Sequence, residues 1–304
     1  MKKPNIVVVG SSNTDMIIKL ERIPQLGETV LGGEFLTAAG GKGANQAVAA
    51  ARAGGQVGLI ACLGRDTLGD RAMAGFLEEG IHVNYVSRDR QVASGAALIF
   101  VARNGENCIA VASGANSRLS PAHIKKARSI FARAKILLMQ LETPLDAVEA
   151  AARLAASNEA QIILNPAPAR ALPDRLLRAV SILTPNESEA EGLTGIKMKG
   201  LVTAEKAAHA LRRRGVQTVV LTLGAQGALI VHPRGTQLIA GFKSKGRPHD
   251  RRRRRFQRRA RGGTHRRQVL KRSRPLRQRR RGHLRHLPGC TAVSTHASGD
   301  RAIP

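Results

Sequence analysis

Cysteine is nearly missing from this 304-residue chain: Cys62, Cys108 and Cys290 lie far apart, odd in number and without a CxxC pair. That argues against a disulfide framework or a zinc site and for a reducing compartment, with cytoplasm as the expected location. Long apolar runs are missing as well. None reaches transmembrane length, and the N-terminus has no extended apolar stretch of the signal-peptide kind, so no membrane association is expected. Acidic residues are scarce at one end: from Lys243 onward there are 22 Lys and Arg against Asp250 and Asp300. The preceding 242 residues carry 28 basic and 19 acidic side chains, so most of the formal charge of +29 belongs to the tail.

What is present is a body with a core. Hydrophobic residues make up 42% of the chain, enough for one large α/β domain or two small ones. Its organising stretch is Gly40-Gly41-Lys42-Gly43-Ala44-Asn45-Gln46, followed by the helix-forming Ala47-Val48-Ala49-Ala50-Ala51-Arg52. Glycines allow close backbone approach, and a helix beginning just after them would aim N–H groups and a positive dipole end at a ligand. The alternative is a helix start that happens to be rich in glycine.

Asn5 to Gly10 reads as a buried parallel strand, with Ser11-Ser12-Asn13-Thr14-Asp15 at its carboxyl end, where open α/β sheets place ligands. Asn13 and Asp15 would either project together towards sugar hydroxyls or close an Asx-type turn. Thr29 to Thr37 alternates like a strand, Val57 to Leu63 reads as a strand, and Asp70 to Glu79 as a helix. Two apolar runs around Asn104-Gly105 predict a hairpin that joins the segment near Val30 in a small separate sheet.

Strands are then expected at Ile136–Leu141, Gln161–Leu164, Ser181–Leu183 and Thr218–Leu223, with helices at Leu145–Ser157 and Ala204–Arg214. This alternation predicts an α/β fold, a mostly parallel sheet with helices on both faces. Glu142, Asn165, Asn186 with Glu189, and Thr222 with Gly224 and Gly227 follow strand ends, so they would line one edge as a cleft. His82, His123 and His209 show no partner pattern and are expected on the surface or on helices.

These pieces, from Asn13-Thr14-Asp15 and Gly40–Asn45 through Met139-Gln140-Leu141-Glu142, Asn165–Arg170, Thr184-Pro185-Asn186-Glu187 and Thr222–Gly227, resemble the ribokinase family of sugar kinases from about Val7 to Phe242. The resemblance implies a ribokinase-like body over 1–242 whose small β sheet, about 13–39 and 95–112, is a lid. It implies ATP-dependent phosphorylation of D-ribose, with another furanose or a nucleoside as alternative substrates. By resemblance, Asn13, Thr14, Asp15, Gly41, Lys42, Gly43, Ala44, Asn45 and Glu142 would surround the sugar, Lys42 either as a ligand or as a loop cation. Asn186, Glu189, Thr222, Leu223, Gly224, Ala225, Gln226 and Gly227 would lie along ATP. Mg²⁺, a monovalent cation (K⁺) and a homodimer paired through the lid are further family expectations.

One family element is missing: a Gly/Ala-rich turn with an aspartate that takes the proton from the attacking hydroxyl. It is due shortly after Phe242, where the chain reads Gly246-Arg247-Pro248-His249-Asp250 and five arginines, and Asp250 lacks the glycine context. Arg251 to Arg255 can be encoded as CGC CGC CGG CGA CGC, which read one nucleotide downstream gives Ala-Ala-Gly-Asp-Ala. The same shift permits Phe-Asn-Gly-Ala-Leu from Phe256 onward and Leu-Gly-Ala-Gln-Pro-Ser from the segment at Pro288, both family-like and in order. A one-nucleotide frame change after Phe242 is therefore expected. Residues 243–304 would then be an aberrant, disordered tail with non-specific polyanion affinity, the catalytic base would be lost, and the chain would fold poorly with little kinase activity. The reading from a different class is a non-catalytic sugar- or nucleic-acid-binding protein with a basic arm, showing strong salt dependence without sequence specificity.

Overall fold

The computed structural model describes residues 4–241. Strand β1 (Ile6–Val9) forms because Ile6-Val7-Val8-Val9 is β-branched throughout, and Val7, Val8 and Val9 are all fully buried. It pairs in parallel with β4 (Val57–Gly64) on one side and β8 (Ile136–Met139) on the other. The main sheet continues outward from β4 to β5 (His82–Asp89). From β8 it continues through β9 (Gln161–Leu164), β10 (Ile182–Leu183) and β11 (Thr218–Thr222), all parallel. Strands β12 (Gly227–His232) and β13 (Gly235–Ala240) then add an antiparallel edge, giving nine strands in all.

Alternation along the central strands sends side chains to two cores. Val8, Leu59, Ala61 and Leu63 pack with Ala44, Ala47 and Phe76 beneath α1 (Lys42–Arg52) and α2 (Thr67–Glu78). Val7, Val9, Ile60, Leu137 and Met139 pack on the opposite face. There they meet α3 (Pro121–Lys126), α4 (Arg128–Phe131), α5 (Leu145–Ala156), α6 (Asp174–Ala179), α7 (Glu187–Thr194) and α8 (Leu201–Arg213). The α/β class with helices on both faces is therefore as the strand–helix alternation requires.

A second sheet of four strands, β3 (Glu34–Gly40), β2 (Asn13–Leu20), β6 (Gly95–Ala102) and β7 (Asn107–Ala112), is the expected small one. Its hairpin β6–β7 turns at Asn104-Gly105, where Gly105 takes φ 94°. Several local readings are corrected. The Asn13-Thr14-Asp15 segment is no turn but the start of β2, because it pairs with β3 on one side and β6 on the other. The strand expected from Thr29 to Thr37 begins only at Glu34, past Gly32 and Gly33 at positive φ. Helix α1 begins at Lys42 instead of after the glycine stretch, and α2 begins at Thr67 because the Asp66 side chain accepts from Gly69 N–H at its N-cap. Strands β5, β12 and β13 had no clear sequence signal; β5 is half-buried at every residue except the exposed Asn84 and lacks alternation.

Candidate active site

The loops that follow β1, β8, β9, β10 and β11 all emerge at the carboxyl edge of the parallel strands, in that spatial order. Of the residues expected for the sugar, Asn13, Thr14 and Asp15 follow β1, Gly41 to Asn45 follow β3 of the small sheet, and Glu142 follows β8; those expected for the nucleotide lie after β10 and at the end of β11. The strand-end loops that carry these residues thus share one edge of the sheet.

At the end expected to hold the sugar the central finding is Glu142. Its Oε2 accepts the Lys42 N–H at 2.9 Å and the Ser11 hydroxyl at 2.5 Å. Gly43 N–H donates to Ser11 Oγ at 3.3 Å, and Ala44 N–H to the Ser11 carbonyl at 2.8 Å. Lys42 Nζ lies 3.7 Å from Glu142 Oε1, so the lysine is an ion-pair partner of the carboxylate. The first N–H groups of α1 are thus not left open for a ligand. The Lys42 N–H binds the protein's own carboxylate, which the helix dipole favours, and those of Gly43 and Ala44 bind Ser11. The glycine stretch makes this approach possible. A Cβ on Gly43 would lie 2.5 Å from Ser11 N and 2.7 Å from Gly10 Cα, and Gly41 caps the helix at φ 87°.

Asp15 stands beside this cluster, and a Cβ on Gly40 would sit 2.2 Å from its Oδ1. Burial raises the Asp15 pKa above the ordinary aspartate value, the Glu142 charge adds to the rise, and Lys42 opposes it. Asn13 shares the Asp15 face of β2, two residues away, whereas Thr14 faces the opposite side. Asn13, Thr14, Ala44 and Asn45 border a cavity of about 630 Å³ between β2, β3, α1 and α2, with Gly40 and Phe76 also in its wall. The sugar-side residues therefore fall into two adjoining groups. Asp15, Lys42 and Glu142 are coupled to one another through charge, and Asn13, Thr14, Ala44 and Asn45 line the cavity.

The end expected to hold the nucleotide is built differently. Asn186 caps α7 by accepting Glu189 N–H at 2.8 Å, while the Glu189 carboxylate accepts Asn186 N–H and Nδ2, both at 2.9 Å. Thr222 N–H donates to the Pro185 carbonyl at 2.9 Å, which ties this loop to the end of β11. Gly224–Gln226 form one short 3-10 turn, exposed along its length, between Gly224 at φ 54° and Gly227 at φ 107°. A Cβ on Gly227 would fall 2.0 Å from the Ile239 carbonyl of β13. Leu223 is buried and anchors the turn.

Sequence reasoning missed Ser11 as the bridge between Glu142 and Gly43, and Asn116, a buried residue that holds Ser12 and Asn13. Serine and asparagine carry no local signal for bonds made about a hundred residues away. His123 is partnered after all: its Nδ1 accepts Ser120 N–H at 3.2 Å in the capping box of α3. The tail, Asp250 and the expected catalytic turn lie outside the described residues. Among the described residues no group of three His, Cys, Asp or Glu side chains could hold a metal, and no helix is long and apolar enough to cross a membrane.

A sheet edge with carboxylates at one end, a glycine turn at the other and a small β sheet beside it is an arrangement suited to a phosphoryl-transfer enzyme. Residues 3–246 match the pfkB family of carbohydrate kinases, and the chain belongs to that family, whose members transfer phosphate to a sugar alcohol. Within it the chain is similar to ribokinases. It is 43% identical over 240 residues to the ribokinase of Haemophilus influenzae, a match covering 79% of this chain and 78% of that protein. Ribokinase of Mus musculus is 40% identical over 227 residues, covering 74% of this chain and 70% of that one. Among solved structures, Arabidopsis thaliana ribokinase complexed with ribose and ATP matches with a TM-score of 0.74 and 29% identity over 80% of each chain.

Proposed function

We propose that residues 1–242 form the sugar- and ATP-binding body of a kinase that converts D-ribose to D-ribose 5-phosphate. The observation that carries this reading is the Glu142 carboxylate, seated on the N-terminus of α1 beside Asp15 and Lys42. Two acceptor carboxylates, an ammonium group and the Asn13 and Asn45 amides suit a polyhydroxyl ligand, which apolar walls could not discriminate. The relatives named above, among them a ribokinase complexed with ribose and ATP, support the choice of both ligands.

In the reaction a ribose hydroxyl oxygen attacks the γ-phosphorus, ADP leaves, and the hydroxyl proton passes to a base. This body orients the hydroxyls through Asn13, Asp15 and Glu142, and the exposed turn Gly224–Gln226 offers backbone to the phosphates. Mg²⁺ offsets phosphate charge when bound. Glu189 fits that requirement: each carboxylate oxygen accepts one hydrogen bond from Asn186 and keeps a lone pair for a metal-bound water. K⁺ would bind in the family's C-terminal loop, and the homodimer would form through the small sheet.

The base and its glycine turn belong after Phe242, where the frame change removes them, so the chain as written transfers phosphate poorly. The test is a coupled ATP–ribose assay on this chain beside one with the downstream frame restored. Activity confined to the restored chain, higher by about 10²–10⁴-fold, is the expected result. Equal activity in both would overturn the frame reading, and inactivity of the restored chain on ribose would overturn the substrate.

A further inference from the structure

Asn116, in the 3-10 turn Gly114–Arg118 that follows β7, is 2% exposed and belongs to none of the motifs above. Its Oδ1 accepts Ser12 N–H at 2.9 Å, and its Nδ2 donates to the Ser12 carbonyl at 3.1 Å. A backbone N–H only donates and a carbonyl only accepts, so these two bonds fix which end of the amide is oxygen and which is nitrogen. The same Nδ2 also donates to Asn13 Oδ1 at 2.7 Å. Asn13 must therefore turn its oxygen towards Asn116. Its own Nδ2 makes no hydrogen bond among the described residues. Packing holds the pair in place, because a Cβ on Gly95 would lie 2.2 Å from Asn13 Oδ1 and 2.3 Å from Asn116 Nδ2.

We propose that Asn116 is a positioning residue that sets specificity at the sugar end, an inference that rests on the ribose reading. The backbone polarity of Ser12 is relayed through Asn116 so that Asn13 is held as a hydrogen-bond donor. Asp15, on the same face of β2, is an acceptor when ionised. Together they select a hydroxyl, which accepts from the amide and donates to the carboxylate. A deoxy or fluoro group in its place cannot do both.

The test is calorimetric titration of the full chain with ribose and, separately, with a non-hydrolysable ATP analogue. Asn116→Asp presents only acceptors when ionised and forces the Asn13 amide to turn, so ribose affinity is expected to fall by about 10–100-fold. Nucleotide affinity should stay within about twofold, because the residues that follow β10 and β11 do not depend on this relay. In an Asn13→Ala background, Asn116→Ala should cost nothing further in ribose binding. Equal losses for both ligands, or the same cost with and without Asn13, would make Asn116 a purely structural residue and overturn the proposal.

Should the variants fail to fold, the wild-type chain answers by NMR. Ribose should shift the Asn13 side-chain amide signal, and an unmoved signal at saturation overturns the inference. Nucleotide binding without ribose binding by the wild-type chain would overturn the ribose reading and this inference with it. Ribose binding that is indifferent to Asn116 would overturn this inference alone.

Discussion

The two ends of the cleft edge are built on different principles. At the sugar end almost every polar contact joins residues far apart in the chain: Ser11 with Glu142, Lys42 with Glu142, Ser12 with Asn116. At the end expected to hold the nucleotide the side-chain contacts are local, with Asn186 and Glu189 three residues apart and a turn closed between Leu223 and Gly227, and the longer-range tie is the backbone bond from Thr222 to Pro185. Ordering the sugar end thus requires the whole body to fold, and the result is a rigid pattern of donors and acceptors. The other end rests on a helix cap, a glycine turn and the Thr222–Pro185 bond between them, and only the turn Gly224–Gln226 is exposed along its length.

Substitutions should break the two ends in different ways. Glu142→Gln replaces an acceptor carboxylate at a helix N-terminus with an amide that must place its carbonyl there. It should weaken ribose binding by about 100-fold while leaving the ATP analogue unaffected, as read by calorimetry. A comparable loss for both ligands would show that the ends are coupled. Gly43→Ala drives a Cβ into the backbone of Ser11 and Gly10 and should destabilise the chain by about 1–3 kcal/mol in a denaturant titration. An unchanged midpoint would mean that the close approach of α1 to β1 is not needed.

Asn186→Ala removes a cap and should cost about 1 kcal/mol. Nucleotide affinity should fall with it and ribose affinity should hold. The smallest effect concerns pH. Asp15 must be ionised to accept from a sugar hydroxyl, and its pKa lies above the ordinary 3.8 through burial and the Glu142 charge. Ribose affinity should therefore drop, as pH is lowered, at a higher pH than an unperturbed aspartate would give. For folding the sign is opposite: a raised pKa favours the protonated folded state, so this group's contribution is full at pH below 3.8 and is lost as pH rises through the folded value. Asp15→Asn should abolish that component of the ribose profile.

Asp66 shows the contrary behaviour. Burial opposes its ionisation, but N–H donors from Ser94 and Gly69, the Ser94 hydroxyl and the Arg88 charge hold its carboxyl below the usual range. Its contribution to stability is present above 3.8 and is lost as pH falls through the lowered value.

Much of this molecule could be read from sequence, and the reason is locality. The β-branched runs of β1, β9 and β11, the helix over α5 and the Asn-Gly hairpin are set by neighbours a few residues away. Periodicity and turn chemistry report such features directly. The order of motifs along the chain was enough to indicate the family.

The tertiary structure decided where long-range partners override the local signal. Asn13-Thr14-Asp15 has the composition of a turn, yet strand pairing on both sides makes it part of β2. The N-terminus of α1 has the look of an open anion site, yet Glu142, a hundred residues on, occupies it. Which atom Asn13 offers to a ligand depends on Asn116, and no pattern in the chain relates the two. Hydrogen bonds of this kind depend on atoms brought together by the sheet, so their partners are fixed by the fold and not by spacing along the chain.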